Sequence, residues 1–247
     1  MINKELANTL KTQYSSAHPF PHIVIDNFLD ENIANKVAEE VQNFEAWGYD
    51  PSEYSARHQV NKFFTPWGDE SLPYIQQTAP KTWETLSYLN SPEALKFLEN
   101  LTGIENVIPD HTYVGGGMHK INSGGRLAVH ADYNIHPVTK LHRRINLLLY
   151  LNKDWKSEWG GELELWEKDM SKAAHSIEPI FNRAVIFNIT DDAYHGHPYP
   201  LRTPENVSRY SLALYYFTET RPANEISEQH AALWQEHDHG IRNYAKF

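Results

Sequence analysis

The sequence predicts a mainly β protein with helices (α+β), in which a β-sandwich or jelly-roll core is carried on N-terminal helices. Three observations predict it. The hydrophobic period switches to two from about residue 105. The strand-like segments beyond that point are divided by turn-rich stretches: Asn122-Ser-Gly-Gly125, Gly160-Gly161 and His195-Gly-His-Pro198. Before it, helical periodicity comes with recognisable caps.

In chain order, His22-Ile-Val-Ile-Asp26 reads as a strand, and Asp30 then caps a helix through about Phe44, with Ile33, Val37, Val41 and Phe44 at helical spacing. Residues 45–75 are aromatic and polar without a clear period, and read as a loop and candidate substrate lid. Ser91 as N-cap, Pro92 at the first helical position and Gly103 as the stop mark a second helix. Arg144–Leu151 sets Asn146, Leu148 and Tyr150 on one face and Ile145, Leu147 and Leu149 on the other. Gly161–Leu165 alternates and should be half exposed, whereas Ala184–Phe187 is apolar on both faces and should be buried on both. Arg209–Phe217 places Arg209, Ser211, Ala213 and Tyr215 opposite Tyr210, Leu212, Leu214 and Tyr216. Glu225 to about Glu236 returns to helical character. Without repeats, low-complexity tracts or Gly/Ser linkers, there is no place to divide the chain. We expect a single domain over 1–247: a helical and mixed support region (1–105), a β core (106–220), and a C-terminal helix and tail (221–247).

Composition removes several chemistries. With no cysteine, disulfides, zinc-thiolate sites, iron–sulfur clusters and thiol nucleophiles are excluded, and a cytoplasmic location is compatible. No run approaches the ~20 apolar residues of a membrane span, so no membrane partner is expected. A net charge of −10 argues against nucleic acid, and the basic cluster Lys140-Leu-His-Arg-Arg144 is too short to reverse that.

The chemistry concentrates in His130, Asp132, His195 and Arg209. Two histidines and a carboxylate are the donor set that holds non-haem Fe(II) on one face and leaves positions open for reaction. In a strand, residues two apart point to the same side, so His130 and Asp132 can reach one ion. Either His195 or His197 could supply the third ligand, since both share strand parity. Arg209, in an otherwise apolar strand with Ser211 on its face, could clamp the carboxylate of a small organic co-substrate. Trp155 and Trp166 read as packing or pocket wall. Glu162 and Glu164 read as a solvated strand face and not as a hydrolase pair, for they have no opposing partner.

His130-Ala-Asp132, Tyr150-Leu-Asn-Lys-Asp-Trp155, Gly160-Gly-Glu-Leu163, His195 and Arg209-Tyr-Ser211 follow one another in an order that resembles the 2-oxoglutarate/Fe(II)-dependent dioxygenases, most closely their prolyl-4-hydroxylase-like branch. The resemblance covers roughly residues 110–218. It implies a double-stranded β-helix, a jelly-roll variant. It implies His130, Asp132 and His195 as iron ligands, the first histidine of the pair being preferred. Arg209 is the implied partner of the distal carboxylate of 2-oxoglutarate, with Tyr150 donating to the same group and Ser211 beside them. The implied co-substrates are 2-oxoglutarate and O2, with ascorbate allowed for as a reductant. Retention of the Asp132 carboxylate implies hydroxylation and not halogenation. The implied activity is hydroxylation of an unactivated C–H bond, first of a prolyl or other amino-acid residue, peptidyl or free, with release of succinate and CO2. A small metabolite or sugar is the alternative substrate, and a non-catalytic metal-binding jelly-roll module is the alternative of another class. Two departures stand out: Lys120 lies where oxygen-sensing members carry a cofactor-contacting tyrosine, and Arg209 follows His195 by 14 positions, implying a longer turn through Tyr199 to Val207.

Overall fold

In a computed structural model, residue 2 and residues 5–47, 59–60 and 71–235 are described. The chain runs through α1 (Glu5–Ser15), β1 (His22–Ile25), α2 (Glu31–Gln42), β2 (Gln59–Val60), α3 (Ser71–Thr78), α4 (Pro80–Leu89) and α5 (Pro92–Thr102). It continues through β3 (Ile108–Pro109), β4 (Gly117–Ile121), β5 (Leu127–Ala131), β6 (His142–Tyr150), β7 (Leu163–Trp166), β8 (Ala173–Ile177), β9 (Ala184–Asn188), β10 (His195–His197), β11 (Arg209–Thr218) and β12 (Leu233–Trp234). Two antiparallel sheets result. The larger has the order β1-β9-β6-β11-β4-β2 with β3 beside β11, and the smaller has the order β12-β5-β10-β7-β8.

Strict alternation along the central strands builds two cores on either side of the larger sheet. Ile145, Leu147, Leu149, Ala184, Ile186, Leu212, Leu214 and Tyr216 face the helices, packing with Val37, Val41, Leu86 and Leu98. Tyr150, Val185 and Phe187 face the smaller sheet, meeting Leu163, Leu165 and Ile177. The caps expected at α2 and α5 form: Asp30 accepts from Asn32 N and Ile33 N, and Ser91 accepts from Ala94 N before Pro92, with Gly103 left-handed at φ 75°. Among the described residues no helix is long and apolar enough to cross a membrane.

Three expectations are corrected. Most of the loop expected over 45–75 lies outside the described residues, but Gln59–Val60 pair with β4 and Ser71 already opens α3. The helix expected from Glu225 to about Glu236 is absent among the described residues: a single 3₁₀ turn, Ala223–Glu225, leads to an extended segment and β12. Pairing with β5 and packing of Trp234 on His130 outweigh the weak local helical preference. His195-Gly-His-Pro198, read as a turn, is strand β10 through His197, held between β5 and β7.

Candidate functional site

The site lies between the two sheets. β5 and β10 are neighbours in the smaller sheet, with His195 in register with His130, and the ring centroids are 4.6 Å apart. Asp132 follows β5 immediately. One ligating atom from each of His130, Asp132 and His195 lies within 4.8 Å of the others. His130 Nε2 is 3.5 Å from Asp132 Oδ1, and His195 Nε2 is 3.4 Å from Asp132 Oδ2.

The backbone sets both tautomers. His130 Nδ1 is 2.9 Å from the carbonyl oxygen of Ala128, and His195 Nδ1 is 2.9 Å from that of Ala193. A carbonyl can only accept, so each Nδ1 carries a proton and each Nε2 faces Asp132. Burial lowers the pKa of His130 and keeps the ring neutral. For Asp132 burial acts upward, but Arg143, His130 and His195 outweigh it and hold the carboxyl well below the usual range. The result is two oriented imidazoles and one carboxylate, the donor set of a facial Fe(II) site.

Asp132 is braced from the larger sheet. Arg143 Nη2 and Asn146 Nδ2 each donate to Oδ2 at 2.8 Å, and Arg143 donates to Asn146 Oδ1 through Nε at 3.0 Å and Nη2 at 2.8 Å. The guanidinium carbon lies 3.5 Å from the ring centre of Tyr215 and 4.5 Å from that of Tyr133. Sequence reasoning overlooked Arg143 as part of a short basic cluster; it is 1% exposed. The site side receives it because a register irregularity lies between Tyr216 and Phe217 opposite β6, pairing Ile145 with one and Arg143 with the other.

Across the gap, Arg209 on β11 is buried and donates through Nε to the Gly161 carbonyl (2.8 Å) and through Nη2 to the Tyr150 hydroxyl (3.2 Å), with its guanidinium 4.8 Å from the Tyr150 ring centre. Those two bonds leave N–H groups of the fork for a carboxylate. Burial, against the pull of Arg209, raises the pKa of Tyr150, so its hydroxyl keeps the proton it can donate. Ser211 is buried and in register with Tyr150. Gly161 has to be glycine here: its φ is +79°, and a Cβ would meet Leu201 Cδ2 at 2.5 Å and Arg209 Cδ at 3.2 Å.

The remaining residues sort by strand face. Lys120 sits over the rings of Trp47 (5.9 Å) and Tyr210 (6.0 Å), on the helix side of the larger sheet; the adjacent His119, in register with Ser211, is the buried residue on the site side. Trp234 covers His130 at 4.7 Å between ring centres, a contact without a local sequence signal. Trp155 donates to the Gly160 carbonyl, and Trp166 to Glu164. Glu164 is half-buried, not solvated, and burial raises its pKa. The long turn before Arg209 is tied to the β4–β5 turn by Leu201 N to Gly125 O (2.9 Å) and Ser123 Oγ to Thr203 O (2.6 Å).

Residues 116–217 match the model of the 2OG-Fe(II) oxygenase superfamily. Similar solved structures include a prolyl hydroxylase from Trichoplax adhaerens in complex with a hypoxia inducible factor peptide fragment, at TM-score 0.57 and 20% identity over 87% of this chain and 90% of that one. A prolyl-4-hydroxylase from Pseudomonas putida gives TM-score 0.52 and 16% identity over 86% and 99%. HygX from Streptomyces hygroscopicus, with nickel and 2-oxoglutarate bound, gives TM-score 0.53 and 11% identity over 96% and 98%. At these identities the structural likeness is one of fold, and that fold is the double-stranded β-helix.

Proposed function

We propose, on the premise that residues 116–217 belong to the 2OG-Fe(II) oxygenase superfamily, that this chain hydroxylates an unactivated C–H bond of a prolyl or other amino-acid residue, peptidyl or free, releasing succinate and CO2. Its core is that of a 2-oxoglutarate-dependent dioxygenase using Fe(II), 2-oxoglutarate and O2. His130, Asp132 and His195 would hold the ion, and Arg209, Tyr150 and Ser211 the distal carboxylate of 2-oxoglutarate. One observation carries the reading: a His-Asp-His group, both histidines buried and one ligating atom of each residue within 4.8 Å of the others, lies between the sheets from a buried arginine–tyrosine pair with donors to spare.

Fe(II) bound there supplies O2 activation coupled to oxidative decarboxylation of 2-oxoglutarate. The protein's share is positional. Ala128 and Ala193 fix the imidazole tautomers, Arg143 and Asn146 hold Asp132 by one oxygen, and the apolar packing around Tyr150 and Phe187 excludes water. Arg209 supplies fixed positive charge, and an acceptor-only dicarboxylate satisfies both it and the Tyr150 hydroxyl. Prolyl peptides are the first substrates to test, because the Trichoplax structure holds a peptide fragment.

The test is succinate release with O2 consumption by Fe(II)-loaded protein, followed by mass spectrometry of a panel of prolyl peptides and free amino acids for the gain of one oxygen atom. The double variant His130→Ala/Asp132→Ala should bind no stoichiometric iron and form no succinate. Undiminished iron in that variant would place the metal elsewhere, and no 2-oxoglutarate turnover by the wild type with any substrate would overturn the proposal.

A further inference from the structure

The segment His195-Gly-His197 holds a second histidine that the metal group does not use. His197 is 3% exposed, and neither ring nitrogen has a hydrogen-bond partner among the described residues. An imidazole in any protonation state carries at least one N–H. Burying that donor unmatched is unfavourable, and native structures seldom leave it so unless the group serves a site.

Its position is set by β10. His195 and His197 share strand parity, and the register shift between them puts the extra residue on β5 (Leu127 to His130 against His197 to His195), so β10 keeps its alternation and both rings lie on one face. Gly196 lets the two strands run at close range: a Cβ there would lie 2.8 Å from the carbonyl oxygens of Ala128 and Leu127, so any other residue would push β10 away from β5. His197 is in register with Leu127, further along β5 from His130, and on its other side Gly196 is in register with Glu164 of β7, so His197 lies toward the Gly161 end of that strand, where Arg209 donates to the Gly161 carbonyl. It thus stands on the strand that carries His195, on the side of the carboxylate anchor. Between the metal group and that anchor a co-substrate with only acceptor oxygens would lie.

We infer that His197 is a binding residue for 2-oxoglutarate, donating a ring N–H to one of its oxygens, and is neither an iron ligand nor a residue that orients the substrate to be hydroxylated. The inference rests on the proposed function and sharpens it, giving the His-Gly-His motif one histidine for the metal and one for the co-substrate.

The test measures binding, not turnover. The protein is loaded with Mn(II), which occupies the site without supporting the reaction, and 2-oxoglutarate affinity is measured by calorimetry for wild type, His197→Phe and His197→Gln. Phenylalanine keeps the bulk and lacks the donor, whereas glutamine restores an N–H. His197→Phe should bind 2-oxoglutarate about 10- to 100-fold more weakly, the range for a hydrogen bond to a charged acceptor. Mn(II) affinity should be unchanged, and His197→Gln should recover most of the loss. Wild-type 2-oxoglutarate affinity in His197→Phe would overturn the inference, leaving the ring to be satisfied by water. Loss of Mn(II) binding would also overturn it, making His197 a ligand. If wild-type Mn(II) protein fails to bind 2-oxoglutarate at all, the functional proposal itself falls. A second measurement needs no variant: in Zn(II)-loaded protein with ¹⁵N-labelled histidine, 2-oxoglutarate should shift a His197 ring N–H resonance, and an unmoved resonance in a saturated complex would refute the contact.

Discussion

Replacing Arg143 by methionine separates the electrostatic role of that residue from its bulk. Arg143 is 1% exposed, and its Nη2 is 2.8 Å from Asp132 Oδ2. At that distance, with an effective dielectric of about 20, the attraction is roughly 6 kcal/mol. Burial of both groups opposes it, and removing one partner of such a pair costs about 3–5 kcal/mol because the other charge is left uncompensated. The contacts with the Tyr215 and Tyr133 rings are lost as well, though methionine retains part of the packing. For a chain of this length each kcal/mol moves Tm by about 2–4 °C, so metal-free Arg143→Met should melt about 6–20 °C below metal-free wild type. A bound divalent cation neutralises Asp132 from its other side. With saturating Mn(II) the deficit should therefore shrink to half or less, which means the ion stabilises the variant more than it stabilises the wild type. Differential scanning calorimetry of both proteins, with and without Mn(II), gives the four melting points. An equal deficit in both conditions would show that Arg143 is a packing element and would refute the electrostatic coupling.

Arg209→Ala should weaken 2-oxoglutarate by about 1.5–3 kcal/mol while leaving metal affinity unchanged, as titration of Mn(II)-loaded protein would show; wild-type affinity would remove Arg209 from the site. Arg183 donates to Asp26 through Nε (2.6 Å) and Nη2 (3.0 Å), joining the end of β1 to the start of β9, and this pairing lowers the pKa of Asp26. A depressed folded-state pKa contributes stability above the unfolded value of about 3.9 and loses it as pH falls through the folded value. Asp26→Asn should therefore reduce Tm at pH 7 by more than it does at pH 3, and a pH-independent difference would contradict the pairing. The effect should be small because Asp26 is largely exposed.

What could be read from the sequence followed from strict alternation. Arg209, Ser211 and Tyr150 share a face because β6 and β11 are regular over those residues, and parity carries the assignment without any knowledge of the partner strand. Arg143 escaped for the converse reason: an irregularity opposite β6 breaks the alternation, and its position depends on pairing that a local pattern does not contain. The His119 and Lys120 faces needed the register of β4 on β11. α4 was not legible because its N-terminus is capped from elsewhere. Ala79 offers no side-chain cap, and the Glu40 carboxylate of α2 accepts from Lys81 N (3.1 Å) and Thr82 N (2.7 Å). β12 is two residues long and exists only by pairing with β5. The two histidines of β10 had the right parity from the start, but their different tasks rest on which carbonyl or carboxylate each ring meets in space.

The candidate ligand set and the carboxylate anchor sit on opposite sheets. His130 and His195 belong to the smaller sheet, and Arg209 and Tyr150 to the larger. A dicarboxylate gripped at one end by an ion on the first wall and at the other by the guanidinium on the second would act as a rivet through the sandwich. Its binding would then resist the sheets being drawn apart or sheared, a mechanical stiffening that neither the ion nor the dicarboxylate alone could impart. Molecules of similar charge that are too short to span the gap could occupy one wall without fastening it to the other.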